Sequence, residues 1–333
     1  MDAKYILGNV LAASKIKLFG VVRPRFLWVE TSDLCNSRCV TCNIWQNKTS
    51  RNVLDLKVLA KPLFRDVQYI INSGGEPSLS DLSNILLTEH RLLPKAVLQV
   101  STNGLLVDKV VDAVCDVLRV GAWVDVGLSL DGVGEAHDRW RGVSGNFEKV
   151  KALTEKLVKL QKKYVGLNVT VGSTLTDKTF ENSQDLYAYS KKYGVNFMWH
   201  WFNQGTFYNN NIDLKLSPEN AKKALTIMSD SLYRYLWLQS LQGQIPRFEC
   251  YALRSFAVLK CTGEIVPCLS RWNQSIGNIM EHSGKTVWSG SLAKKARLDI
   301  SKCAGCLNSW GCGWSLQTKY FPSLQYKLKE KTK

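Results

Sequence analysis

Apolar residues in this chain gather in short runs of strand length, each followed by a turn signal and a stretch with helical spacing. The first run, Phe26-Leu27-Trp28-Val29-Glu30-Thr31, reads as a buried strand. A second, Val67-Gln68-Tyr69-Ile70-Ile71, leads straight into Gly74-Gly75-Glu76-Pro77. Further runs lie at 96–102, 123–130, 167–175 and 195–202, and helical spacing occupies 54–64, 107–120, 147–160 and 180–193. Strands alternating with helices predict an α/β fold with a parallel sheet, and right-handed crossovers curl such a sheet into a barrel or part of one.

Beyond residue 208 the pattern changes. Asn209-Asn210-Asn211 is a polar break, and Ser217-Pro218-Glu219 is a helix start, with serine as the cap and proline in the first turn. Phe256-Ala257-Val258-Leu259 and Glu264-Ile265-Val266 flank Thr262-Gly263 and read as a hairpin ending at Pro267-Cys268. A helix over 287–298 then leads to Cys303, Cys306 and Cys312. The division this predicts is an N-terminal helical segment at 1–25, a core at 26–208, a connecting helix at 209–247, a small α+β domain at 248–320 and a basic tail at 321–333.

In the first segment Ile6, Leu7, Val10, Leu11 and Leu18 recur at helical spacing beside Lys4, Lys15 and Lys17. Packing of this helix on the core is the plainer reading, and a peripheral membrane contact is the alternative. No apolar run reaches the roughly 18 residues of a membrane-spanning helix. Gly8, Asn9 and Lys15 interrupt what would be the apolar stretch of a signal peptide.

The 333 residues, 45% of them hydrophobic, suffice for one large core and a smaller domain. Lysine and arginine total 44 against 28 acidic residues, a formal charge of +16 that favours phosphate-rich partners or an anionic membrane. No basic run concentrates it, so plain solubility is the preferred account.

The ten cysteines are grouped rather than scattered. Cys35, Cys39 and Cys42 are spaced C-x3-C-x2-C in one loop after the first strand, a spacing that can hold three irons of a 4Fe-4S cluster and leave the fourth open. Zinc is the alternative, but it wants a fourth nearby Cys or His, and none lies close in sequence. Six more cysteines fall in the last third, and Cys115 stands alone in an apolar stretch as a small core residue. Metal spacing and exposed thiols predict a reducing, cytoplasmic location.

The cysteine triplet, Gly74-Gly75-Glu76-Pro77 and Ser129-Leu130-Asp131-Gly132, in this order, resemble the radical SAM enzyme superfamily. The resemblance implies a partial (β/α)6 barrel of TIM type, with S-adenosylmethionine (SAM) chelating the open iron. Gly74, Gly75 and Glu76 would then meet the SAM amino group and Ser129 its ribose or carboxylate. Arg141 would pair with the carboxylate or serve as a surface cation. Thr41 stands where the family commonly has an aromatic residue against adenine, with Trp45 as the substitute. Thr102 is a substrate contact by this resemblance and a turn residue otherwise.

Cys250, Gly263 and Cys268, followed by Cys303-x2-Cys306-x5-Cys312, resemble the auxiliary-cluster region called SPASM or its shorter form, twitch. The full pattern continues with a cysteine where this chain has Leu316, so one auxiliary 4Fe-4S cluster is implied, on Cys250, Cys268, Cys303 and Cys306, with Cys312 as the replacement for one of the pair. A four-cysteine zinc site is the alternative. The implied activity is reductive cleavage of SAM to a 5′-deoxyadenosyl radical that abstracts hydrogen from a peptide or small molecule. An oxidoreductase or maturase of this kind draws on an external one-electron donor such as flavodoxin or ferredoxin. Modification of a membrane lipid or glycan is the second reading. An RNA-directed or RNA-binding iron-sulfur protein is the third, against which no interleaved basic and aromatic motif is present.

Overall fold

The computed structural model describes residues 11–12, 14–46, 53–202, 207, 214–227, 231–242, 248–303 and 315. Strand β1 (Phe26–Ser32) is buried at every position. It is flanked on one edge by β2 (Tyr69–Gly74), which is followed outward by β3 (Val97–Thr102), β4 (Trp123–Ser129), β5 (Leu167–Leu175) and β6 (Asn196–Trp201), all parallel. The sheet keeps two free ends, so the expected α/β fold is a partial barrel.

The alternation along β5 shows why the barrel has an interior. Leu167, Val169, Val171, Ser173 and Leu175 are buried, whereas Asn168, Thr170, Gly172 and Thr174 line a cavity. The buried face packs under helices, among them Val107–Arg119, which buries Val110, Ala113, Val114, Val117 and Leu118 at spacings of three and four. Each large apolar side chain there contributes roughly 1.5–3 kcal/mol.

The sheet does not stop at β1. The hairpin read at its C-terminal position, β7 (Phe256–Leu259) and β8 (Ile265–Val266), joins the other edge of β1, with Phe26 opposite Phe256 and Val29 opposite Leu259. β7 runs parallel to β1, so the segment after 248 continues the barrel's own sheet, in the order β6-β5-β4-β3-β2-β1-β7-β8.

Three expected helices differ. Residues 54–64 form two 3-10 turns, Leu56–Ala60 and Pro62–Phe64, because Pro62 has no N–H to continue a ladder and holds Lys61 extended at φ −65°, ψ 143°. The 180–193 helix divides into Asp177–Phe180, capped reciprocally by Thr176 and Thr179, and Ser183–Tyr193. The 287–298 helix divides at the extended Gly290 into Gly284–Ser289 and Ser291–Ser301. The connecting segment holds two helices, Pro218–Ile227 and Ser231–Leu241.

Of the N-terminal stripe, Ile6, Leu7 and Val10 lie outside the described residues. Ile16 and Ala12 pack inward, while Leu11, Leu18 and Phe19 are exposed. Among the described residues no helix is long and apolar enough to cross a membrane.

Candidate active site

The three cysteines sit on a loop that leaves the C-terminal end of β1, and neighbouring segments hold that loop on two sides. Gly75 N–H donates to Ser32 O at 2.8 Å and Glu76 N–H to Leu34 O at 2.7 Å. Gly75 lies so close that a Cβ there would stand 1.9 Å from Leu34 O, and Gly74 adopts φ +109°. On the other side Arg38 N–H donates to Arg141 O at 2.9 Å and Val40 N–H to Trp140 O at 3.0 Å.

Glu76 ties this arrangement to the next strand. Its carboxylate is buried and accepts from Ser78 N–H and O–H, from Thr102 O–H at 2.7 Å and from Asn103 N–H at 2.7 Å. Burial raises its pKa, against the pull of these donors. The Glu76 carboxylate thus braces the strand ends while the residue lines the same cavity as the cysteines, and the Thr102 hydroxyl, on that cavity too, also accepts from Gly104 N–H.

Two N–H donors point at the sulfurs. Arg141 Nη1 is 3.6 Å from Cys39 Sγ, and Asn103 Nδ2, which also donates to Asn36 Oδ1 at 2.8 Å, is 4.0 Å from Cys35 Sγ. Arg141 is no free surface cation: its Nη2 pairs with the buried Asp131 at 2.8 Å. Burial works against the guanidinium's charge, but Asp131 and the Cys39 sulfur more than offset it, so its pKa lies above the ordinary value. Asp131 is itself held by Ser173 O–H at 3.0 Å and Thr174 N–H at 2.9 Å.

Behind this pair lies a relay the sequence reading missed. Asp131 N–H donates to His137 Nδ1, so the ring proton sits on Nε2 and faces Asn146 Oδ1 at 3.1 Å, and Asn146 Nδ2 donates to Asn103 O at 3.0 Å. Burial, with Arg141 nearby, pulls the His137 pKa down to about 4, which keeps the ring neutral. No local pattern signals it, because His137 and Asn146 lie on separate helices and Asn103 follows β3.

The cysteines form one end of a cavity of about 510 Å³, shared with Thr41, Trp45, Gly74, Gly75, Ser129 and Arg141. Its opposite reaches are polar, with Tyr69 donating to Asp125 and Asn196 donating to Asn168. Burial pushes the Cys35 and Cys42 thiols up to about 12, so a metal must displace their protons to bind. Three cysteines lining one cavity, two of them with sulfurs facing N–H donors, suit a cluster whose ligands reach separate irons.

In the C-terminal part, Cys268 ends the hairpin before the turn Leu269–Arg271, Cys303 follows helix Ser291–Ser301, and Cys250 precedes Tyr251, whose N–H donates to Ser315. Cys306 and Cys312 lie outside the described residues. Cys261 turns the other way, its Sγ and N–H each 3.1 Å from the buried Glu30 carboxylate on β1.

Residues 29–187 match the family model of the Radical SAM superfamily, and residues 250–307 match that of SPASM, an iron-sulfur cluster-binding domain. The chain belongs to the radical SAM superfamily. It carries a C-terminal SPASM-type domain, and its cofactors are SAM and 4Fe-4S clusters. A Fe-coproporphyrin III synthase of Methanosarcina barkeri is 30% identical over 44% of this chain and 36% of its own length. A GTP 3',8-cyclase of Clostridium botulinum is 25% identical over 51% of this chain and 54% of its own length. The chain thus spans about half or less of the length of these relatives. Among solved structures, Streptococcus suis SuiB bound to precursor peptide SuiA superposes with a TM-score of 0.66 at 18% identity, over 89% of this chain and 73% of that one. Native anSMEcpe with bound AdoMet gives 0.62 at 19% identity, over 92% and 98%. These likenesses show the radical SAM fold.

Proposed function

We propose that the chain is a radical SAM oxidoreductase or maturase acting on a peptide or a small molecule. Cys35, Cys39 and Cys42 hold the first cluster, and Gly74, Gly75, Glu76, Ser129 and Arg141 seat SAM beside it. When bound, these cofactors supply a 5′-deoxyadenosyl radical able to take hydrogen from an unactivated carbon. The protein's work is to position and to exclude water. Asp131 fixes Arg141, the His137 and Asn146 relay fixes Asn103, and Ser129 lines the cavity.

The observation that carries this reading is the cysteine wall closing one end of a polar-lined cavity. At about 510 Å³ the cavity falls in the range of about 300–1,000 Å³ that takes one small ligand. A site of this size would admit SAM with only a small reacting group beside it, such as a peptide side chain. SuiB with its precursor peptide, and anSMEcpe with its Cp18Cys peptide, lend support as proteins of the same fold. Cys250, Cys268, Cys303 and Cys306, with Cys312 in reserve, hold the auxiliary cluster, and flavodoxin or ferredoxin supplies the electron. Trp28, Phe207 and Trp272, packed edge to face or tilted within 6.1 Å, lie between the cavity wall and the hairpin's end.

The test is anaerobic reconstitution with dithionite and SAM, scored by 5′-deoxyadenosine. The wild type should form it and hold about eight irons per chain, as two 4Fe-4S clusters require. The Cys35→Ala/Cys39→Ala/Cys42→Ala variant should form none above the enzyme-free background and hold about four. Product from the triple variant would overturn the assignment.

A second reading, modification of a membrane lipid or glycan, is favoured by Leu11, Leu18 and Phe19, exposed beside Lys15 and Lys17. Turnover that appears only with liposomes of anionic lipid would move it first.

A further inference from the structure

The two cluster sites are each approached by one arginine, but the two arginines stand in opposite electrostatic settings. Arg141, beside Cys39, is matched by the buried carboxylate of Asp131 at 2.8 Å, so its charge is largely cancelled where it stands. Arg271 points its Nη2 at Cys303 Sγ, 3.1 Å away, and makes no ion pair with any carboxylate among the described residues. Its other contacts are neutral groups: Nη2 also approaches Asp299 O at 3.4 Å, and Nη1 donates to Gln274 Oε1 at 2.9 Å. The one carboxylate close by, that of Asp299, accepts from Gln274 Nε2 at 3.3 Å. The following stretch, 304–329, contains no aspartate or glutamate in its sequence.

Gln274 and Asp299 thus bracket the guanidinium so that it stays aimed at the sulfur. A thiolate-ligated cluster gains a negative charge on reduction, and a fixed cation that hydrogen-bonds a ligand sulfur favours the reduced form. We propose that Arg271 raises the reduction potential of the auxiliary cluster and so makes it the acceptor for the electron released by substrate. The electrons balance. Substrate gives a hydrogen atom to the 5′-deoxyadenosyl radical, then loses one proton to solvent or a base and one electron to the oxidised auxiliary cluster, completing a two-electron oxidation. Arg271 touches no substrate in this scheme and is a positioning residue for charge.

The inference rests on the reading that Cys303 ligates an auxiliary cluster, and the experiment separates the two. The Cys35→Ala/Cys39→Ala/Cys42→Ala protein is the parent, because its only cluster is the auxiliary one. Its iron content is measured, and its midpoint potential is read by EPR-monitored redox titration. Arg271→Gln, Arg271→Lys and Gln274→Ala are then added singly. Arg271→Gln is expected to keep its iron and to lower the cluster's electron affinity at least tenfold, which is about 59 mV for one electron. Arg271→Lys keeps the charge without the planar fork, and Gln274→Ala loosens the guanidinium. Both should shift the potential in the same direction by less. A parent without iron sinks the ligand reading, and this inference with it. A parent with iron, and an Arg271→Gln potential equal to its own, overturns the inference alone. Where Arg271→Gln does not hold its cluster, the other two variants decide: a negative shift supports the proposal, and unmoved potentials reject it.

Discussion

Glu89 shows how a single buried carboxyl makes the fold sensitive to pH. It lies on helix Leu82–Leu92 with no exposed surface and accepts from Asn72 Nδ2 on β2 at 2.8 Å. Burial raises its pKa from 4.5 to about 8, opposed by the Asn72 bond. Between those two values the folded state keeps a proton that the unfolded state has given up, so stability falls as pH rises through this window. The slope is about 1.4 kcal/mol per pH unit, and above about 8 the effect levels off. Glu89→Gln presents a neutral amide to Asn72 at every pH. Thermal denaturation from pH 5 to 9 should show the wild type losing ground steadily to Glu89→Gln up to about pH 8. Parallel curves for the two proteins would mean that Glu89 does not hold its proton.

At the level of elements, the Gly74–Glu76 turn fixes the cysteine loop through backbone contact. The Cβ introduced by Gly75→Ala would meet Leu34 O at 1.9 Å, and a backbone carbonyl gives way only if the loop moves. Iron should therefore fall to the auxiliary complement, about four per chain, with loss of 5′-deoxyadenosine formation and an unchanged far-UV CD spectrum. Retention of full iron and activity would show that the loop tolerates the shift. The six parallel strands were legible because each is an apolar run bounded by a turn, and 167–175 was read to the residue. The helix at 54–64 was misread because its apolar spacing outweighed the break at Lys61-Pro62. The partner of the hairpin was illegible for another reason. Phe256-Ala257-Val258-Leu259 announces a buried strand, but nothing local says that its neighbour is Phe26–Val29.

On the scale of the whole molecule, one continuous sheet carries both cysteine groups, the first leaving β1 and the second leaving the hairpin paired to it. The motifs named the groups, and the structure relates them by strand pairing. Asn103, His137 and Asn146 were invisible beforehand because their role depends on three segments meeting. The buried link from Glu30 to Cys261 is a further example, joining β1 to the turn between β7 and β8 at a sequence distance of 231.

That pairing also sets an order of biogenesis. The ribosome delivers β1 well before β7, with β2 through β6 made in between, so one edge of β1 waits with its backbone donors and acceptors open. A long-lived apolar edge is a template for another chain. A nascent chain stopped before Phe256 should therefore collect in the insoluble fraction even though its six parallel strands are complete, whereas one carrying the hairpin through Val266 should recover solubility. Measured on arrested chains of increasing length, the soluble fraction should rise where β7 clears the exit tunnel, and a rise before that point would count against the strand's role as a seal.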